Sequence, residues 1–264
     1  MTPDRLRLSS RPATAPGAAG ASTALDFERH RTLYRARQLD VWQGRARWIA
    51  AAALAAVLLL ALTAWVVLGP PAAGAVLLAA AVGVTVLIWK VVRLPEPLLH
   101  LQQQARAERG TARELDRLSD AGYRVLHDRM LPANHGVRLS HLVVGPTGMF
   151  FVETRRVSGP VRVTNGVLWD GDLSLQGAMQ RVWWIAEQVV SALQAEAPQW
   201  KVVVVPRSAL HGAELQAGLV SEGVGVVPAD HLVRSISAMA PTIAPMDVAY
   251  LGECAQRAFP PAAA

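Results

Sequence analysis

The stretch RLSHLVVGPTGMFFVETRR, residues 138–156, decides the fold of this chain because its pattern predicts a β-hairpin. Residues 139–144 are mostly apolar, and residues 149–152 form a second apolar run that is rich in aromatic and β-branched side chains. The segment between the runs holds glycine and proline, which is typical of a turn. Ser140 stands near the start of the first strand and Glu153 follows the second, so strand pairing brings these two polar groups to the same end of the hairpin.

The rest of the C-terminal region alternates between helical and strand patterns. Asn165-Gly166 between two short runs predicts a second hairpin, because Asn-Gly is the strongest two-residue turn signal. Apolar residues from Leu175 to Leu193 recur at alternating spacings of four and three, which predicts an amphipathic helix packed on a sheet. The predicted helices span residues 98–121, 175–193, 230–239 and 248–259, and the predicted strands span residues 123–129, 139–144, 149–152, 160–164, 167–169, 201–205 and 223–227. This alternation predicts an α/β fold.

Three segments of this region resemble the core of the NERD domain, the nuclease-related domain. They are GYRVLHDRMLP at residues 122–132, SHLVVGPTG at residues 140–148 and VETR at residues 152–155. The resemblance covers residues 103–235, and strand, turn and strand match in order and spacing. It implies a restriction-endonuclease-like fold, in which a mixed sheet is flanked by helices. It also implies a site built from an Asp, a Glu-x-Lys pair one strand later and often a Glu on a preceding helix.

Two of the four positions implied by this resemblance depart from the family pattern. Glu153 falls on the family Glu and Glu108 on the helix Glu, but Ser140 stands where the family has Asp and Arg155 where it has Lys. A hard divalent cation prefers charged oxygen ligands, so the neutral hydroxyl of Ser140 removes one of them. Arg155 stays protonated and cannot act as a base, although it can bind phosphate bidentately. We therefore expect a vestigial site that binds nucleic acid or protein without cutting, with Glu108 and Glu153 as weak metal ligands at most.

Two alternatives remain open at this stage. In the first, Glu108 and Glu153 suffice for Mg²⁺ or Mn²⁺, Asp128 or another carboxylate replaces the lost Asp, and the protein is a metal-dependent nuclease with a rearranged site. In the second, a structural membrane protein uses the old fold only as a protein-binding surface. No zinc-ligand spacing, P-loop or dinucleotide fingerprint occurs, so we expect no other cofactor. His141 alternates with Ser140 along the strand and is expected on the opposite face.

The net charge of +6 belongs to one part of the chain. Residues 1–47 carry nine arginines against four acidic residues, whereas residues 94–264 carry fifteen basic against sixteen acidic residues. A DNA-binding domain usually shows a basic face of its own. The charge count of the nuclease-like region therefore gives no nucleic-acid signal by itself and favours a protein partner somewhat.

Two long uncharged runs, residues 48–68 and 72–89, predict a two-helix transmembrane hairpin. Basic residues flank both outer ends, which predicts a multi-pass protein of the cell membrane with both termini and the nuclease-related domain in the cytoplasm. Small residues in both runs allow self-association through the hairpin. The predicted organisation has four parts. They are a basic N-terminal arm at residues 1–47, the membrane hairpin at 48–93, the nuclease-related domain at 94–243 and a C-terminal helix with its tail at 244–264. Within the arm, residues 8–24 are predicted to be disordered.

Overall fold

The computed structural model of the chain describes residues 17–41, 47–71, 74–75, 78–83, 96–132, 137–213, 215 and 219–262. Its named helices are α1 (Ala21–Val41), α2 (Arg47–Leu68), α3 (Glu96–Asp116), α4 (Gln176–Glu196), α5 (Leu232–Ser237) and α6 (Pro245–Ala258). Its strands are β1 (Arg124–Met130), β2 (Arg138–Gly145), β3 (Gly148–Arg156), β4 (Val161–Thr164), β5 (Val167–Asp170), β6 (Leu173–Ser174), β7 (Val204–His211), β8 (Leu219–Ser221) and β9 (Val224–Pro228). The chain divides into two compact units, one formed by Met1–Leu25 with Leu101–Ala264 and the other by Asp26–His100.

A mixed sheet forms the centre of the first unit. Six of the described strands are ordered β1-β2-β3-β7-β9-β8, with β3, β7 and β9 parallel and the other neighbours antiparallel. Helices α4 and α6 pack on one face of this sheet, and α5 with the end of α3 covers the other. The predicted α/β fold with a mixed sheet flanked by helices is therefore confirmed, and it fits a restriction-endonuclease-like domain.

The central hairpin of β2 and β3 lies in the middle of this core. Its strands pair from Gly145 with Gly148 onward, so the turn contains only Pro146 and Thr147. Most side chains of β2 and β3 are buried, on both faces, because helices cover both sides of the sheet. The ring of Tyr123 lies directly on Gly145, where a Cβ atom would come within 1.8 Å of a ring carbon, so only glycine fits there.

The second predicted hairpin is also present, as β4 and β5. Asn165 and Gly166 both have positive φ, of 53° and 77°, which is the backbone of a tight two-residue turn. Helix α4 buries the apolar stripe that its sequence predicts, including Met179, Val182 and Val189. The short third strand β6, which pairs with β5, was not predicted.

Strand β7 differs from its prediction at both ends. The sequence predicts a strand at residues 201–205, whereas β7 spans Val204–His211. Pro206 favours an early end because it cannot donate to a sheet. The pairing of β7 with β9 begins at Arg207, one residue after Pro206. The missing N–H group of Pro206 therefore does not interrupt the hydrogen bonding between these two strands. The longer strand places Ser208 beside Glu153.

The predicted membrane hairpin is wrong. In the portion of the chain that the structure describes, no helix has both the length and the apolar character needed to cross a bilayer. Helix α2 covers the first predicted span, and the second, 72–89, is described only at residues 74–75 and 78–83. Three predictions that depend on this hairpin are also wrong. They are the membrane as a partner, self-association through the hairpin, and a multi-pass localisation with a cytoplasmic domain. The prediction relied on an absence of charge, but eight of the residues 48–68 are alanines, whose methyl groups add little apolar area.

Both ends of the first unit differ from the expected organisation. Residues 8–16 lie outside the described residues, but residues 17–20, expected to be disordered, form turns and α1 begins at Ala21. Helix α6, which the sequence suggested as a separate C-terminal segment, packs into the same core through Val248, Leu251 and Phe259. The N-terminal turns reach the candidate site described next.

Candidate functional site

A row of polar residues crosses four neighbouring strands of the sheet. Glu153 on β3 pairs in register with Ser208 on β7, and on its other side it is hydrogen-bonded to Ser140 on β2. On β1, the residue before Asp128 pairs with His141 of β2, and the residue after it pairs with Leu139. Asp128 therefore stands opposite Ser140. The structure thus brings a carboxylate, a hydroxyl, a second carboxylate and a second hydroxyl to one level of the sheet.

The pair formed by Ser140 and Glu153 is the centre of this row. The Ser140 hydroxyl donates a hydrogen bond to Glu153 Oε2 at 2.8 Å. Burial raises the pKa of Glu153, and the negative charge of Glu108 raises it further. The bond from Ser140 and the charges of Arg138 and Arg155 act in the opposite direction, and burial prevails. Burial therefore disfavours the charged form of Glu153 relative to a carboxyl group in water.

Arg138 connects two buried carboxylates beside this pair. Its Nη2 lies 2.6 Å from Glu108 Oε1, and its Nη1 lies 3.5 Å from Asp128 Oδ1. The side chains of Glu108 and Asp128 are only 3% and 1% exposed, whereas Arg138 is 24% exposed. The guanidinium group therefore supplies the positive charge that these two carboxylates need in the interior.

The first turn of α1 completes the environment of both carboxylates. The backbone N–H and the hydroxyl of Ser22 donate to the two oxygens of Asp128, at 2.8 and 2.7 Å. The Thr23 hydroxyl lies 3.0 and 3.2 Å from the two oxygens of Glu108. Arg138 Nη1 also donates to the Ser22 hydroxyl oxygen. Sequence reasoning missed Ser22, Thr23 and Arg138, because these contacts join distant parts of the chain.

Two donors in the site have no partner among the described residues. Arg155 Nε is buried without a hydrogen bond, and so is the hydroxyl of Ser208. A buried donor without an acceptor costs free energy, so such groups are often explained by a ligand or a water. Arg155, predicted as a site residue, is close enough to Glu153 to lower the pKa of that carboxyl.

His141 faces away from this site, on the side that its position in the strand predicts. Its Nδ1 lies 2.8 Å from Nδ1 of His127, and its Nε2 lies 3.1 Å from the Thr154 hydroxyl. His127 Nε2 lies 3.0 Å from Asp116, which can only accept, so this nitrogen carries a proton. With His127 neutral, His141 then donates from Nδ1 and accepts from Thr154, and every polar atom of the pair is satisfied.

This buried pair predicts that acid destabilises the protein. Burial and the nearby cation Arg138 hold the pKa of His141 well below its usual value of 6.5, and burial also lowers the pKa of His211. The unfolded chain therefore binds protons below pH 6.5 that the folded chain does not bind. We expect the free energy of unfolding to fall as the pH drops from 7.5 to 5.5, by at most about 1.4 kcal/mol per pH unit for each proton.

Urea unfolding between these pH values measures the slope. Glu153 has a raised pKa and contributes with the opposite sign, so the comparison is made in a Glu153→Gln background. His141→Asn should reduce the slope in that background. An unchanged slope would show that His141 does not carry the effect.

The donor set of the site does not fit a divalent cation. Such an ion needs several oxygen ligands with free charge, but Glu108 and Asp128 are both engaged by Arg138 and Ser140 is neutral. Over the described ranges, no group of three or more His, Cys, Asp or Glu side chains is placed to hold a metal ion. The predicted ligands Glu108 and Glu153 are near each other, since the charge of one affects the pKa of the other, but Arg138 lies against Glu108.

Comparison with known proteins gives one match. Residues 103–205 match the model of the family described as Nuclease-related domain, NERD. No curated protein and no solved structure matches the chain. The matched residues include Glu108, Ser140, Glu153 and Arg155, whereas Ser22, Thr23 and Ser208 lie outside the match.

Proposed function

We propose that this nuclease-related domain binds the phosphate backbone of nucleic acid and does not cut it. The observation that carries the proposal is the position of Arg138, whose guanidinium group lies between Glu108 and Asp128. The resemblance implies that nucleases of this superfamily hold a divalent cation on carboxylates that include the helix Glu, which is Glu108 in this chain. Arg138 instead supplies the positive charge at Glu108 and at the neighbouring Asp128, and this charge cannot be lost by deprotonation.

The remaining groups of the site support binding over hydrolysis. Ser140 donates its proton to Glu153 and offers no charge to a cation. Arg155 cannot take a proton from an attacking water, since its guanidinium stays charged. Its buried Nε lacks an acceptor, and a phosphate oxygen is the acceptor that an arginine fork binds best.

Binding of a fluorescein-labelled duplex oligonucleotide to the full chain tests this proposal. The full chain is required because residues 17–25 contribute contacts to the site. We expect salt-dependent affinity by fluorescence anisotropy, and we expect Arg155→Met to weaken it about tenfold, since charged hydrogen bonds contribute about 1.5–3 kcal/mol. The salt slope should fall by about one.

Arg181→Met is the matched control, because Arg181 is exposed on α4. It should change the affinity less than Arg155→Met does. Equal losses in the two variants would show that the binding does not involve the site. Absence of salt-dependent affinity in the unaltered protein would favour the other binding hypothesis, in which the domain contacts a protein.

One observation favours a metal-dependent nuclease with a rearranged site as a second candidate. Asp128 stands opposite Ser140 on the adjacent strand, so a carboxylate is present one strand away from the position of the family Asp. Plasmid cleavage by the full chain in Mg²⁺ or Mn²⁺, abolished by Glu153→Gln, would establish this candidate. Without such cleavage, Asp128 is a structural partner of Arg138 and Ser22.

A further inference from the structure

We propose that residues 17–25, the N-terminal strap, cover the site and must be displaced before a nucleic-acid phosphate can bind there. This inference rests on the proposed function, because it concerns access to the same site. The strap makes hydrogen bonds with Asp128, Glu108 and Arg138, and Ala21 beside these contacts is buried. The strap thus occupies hydrogen-bonding groups that a ligand would use.

The strap competes most directly at Arg138. The hydroxyl oxygen of Ser22 accepts a hydrogen bond from Arg138 Nη1, and a phosphate oxygen is a stronger acceptor for the same donor. The Ser22 N–H at the start of α1 points at Asp128, so the helix end adds its partial positive charge to that carboxylate. Closing the strap therefore satisfies the site internally, with no ligand present.

The strap also covers the site by shape. Strand β1 is the last strand of the sheet, residues 260–262 pair with its outer side, and Asp128 and Ser140 near that edge are almost completely buried. Thr23 is itself buried against Glu108. Gly20 has φ of 68°, and a Cβ there would lie 3.0 Å from the carbonyl oxygen of Ala105. The strap therefore fits closely, and a side chain at position 20 would push it outward.

The attachment of the strap to the site is one that a ligand can replace. Water can replace the hydrogen bonds that Ser22 and Thr23 donate to the two carboxylates, and a phosphate oxygen can replace the Ser22 hydroxyl as the acceptor for Arg138 Nη1. When a binding-competent state is only partly populated, the apparent affinity falls by that fraction. Removing the strap's hydroxyl groups should therefore raise the affinity for nucleic acid without touching any group that contacts phosphate.

The test compares the full chain with the double variant Ser22→Ala plus Thr23→Val. We expect faster hydrogen exchange of the amides of residues 21–25 and about tenfold tighter binding of the labelled oligonucleotide in the anisotropy assay. Gly20→Val is a second variant that opens the strap by crowding and should act in the same direction. Thr32→Val is the matched control, since the Thr32 hydroxyl is exposed and donates to the Arg29 carbonyl oxygen.

The outcomes separate this inference from the proposed function. Faster exchange with unchanged, Arg155-dependent affinity would overturn the strap inference and leave the proposed function in place. Absence of affinity in the unaltered protein and in both opened variants would overturn the proposed function and this inference with it. In the unaltered protein, saturating oligonucleotide should itself speed exchange of residues 21–25, and increased protection there would contradict displacement.

Discussion

Arg138→Met should lower the free energy of unfolding of the full chain by about 3–5 kcal/mol at pH 7, the usual cost of removing one partner from a buried ion pair. The substitution leaves Glu108 and Asp128 buried with hydroxyl and amide donors but without a positive charge. Urea unfolding at pH 7 measures this loss.

The control for this prediction is Arg162→Met, which removes a surface ion pair. Arg162 and Asp172 are 53% and 105% exposed, so this variant should lose less than about 1 kcal/mol. If Arg138 stands in for a cation, Mn²⁺ should stabilise the Arg138→Met protein and leave the unaltered protein unchanged. Equal losses in the two arginine variants would show that Arg138 is only a surface residue and would remove the observation on which the proposed function depends.

The fold could be predicted from the sequence because its central hairpin is formed by residues that are close together in the chain. Strands β2 and β3 are adjacent in the chain, and their register follows from a two-residue turn. That register alone brings Ser140 to Glu153, which are thirteen positions apart. The end of β7 could not be predicted in the same way, because the length of this strand depends on pairing with β3 and β9. Both strands are separated from β7 by other elements of the chain.

The remainder of the site depends on contacts that no local pattern specifies. Arg138 is ten residues from Asp128 and thirty from Glu108, and its contact with Ser22 spans 116 positions. Strand periodicity indicates which face a side chain occupies, but not which helix or loop covers that face. One signal was available: Arg138 precedes Ser140 by two positions and so shares its face, where a buried cation requires acidic partners. The strap gave no such signal, since small residues and glycines predicted disorder there.

Ser140→Asp together with Arg155→Lys should give the full chain a Mn²⁺-dependent nuclease activity that the unaltered protein lacks. The new carboxylate would stand beside Glu153, whose Oε2 is 2.8 Å from the Ser140 hydroxyl. Two carboxylates at that distance cannot both stay ionised without a cation, so the altered pair should bind one. The introduced amine can accept a proton, which a guanidinium cannot, and a positioned acid–base group contributes about 10²–10⁴-fold.

Nicking of supercoiled plasmid by the double variant and the unaltered protein, prepared identically, measures this gain. Adding Glu153→Gln to the double variant should abolish it and controls for contaminating nuclease. Cleavage by the unaltered protein that depends on Glu153 would overturn the proposal of a non-cutting site, and Asp128 would then be the carboxylate to alter next. If no variant cuts, even with Arg138→Met added to free Glu108 and Asp128, the assignment of Ser140 and Arg155 to the family's catalytic positions fails. A fold of this kind does not require catalysis, since its core and its site are specified by different residues.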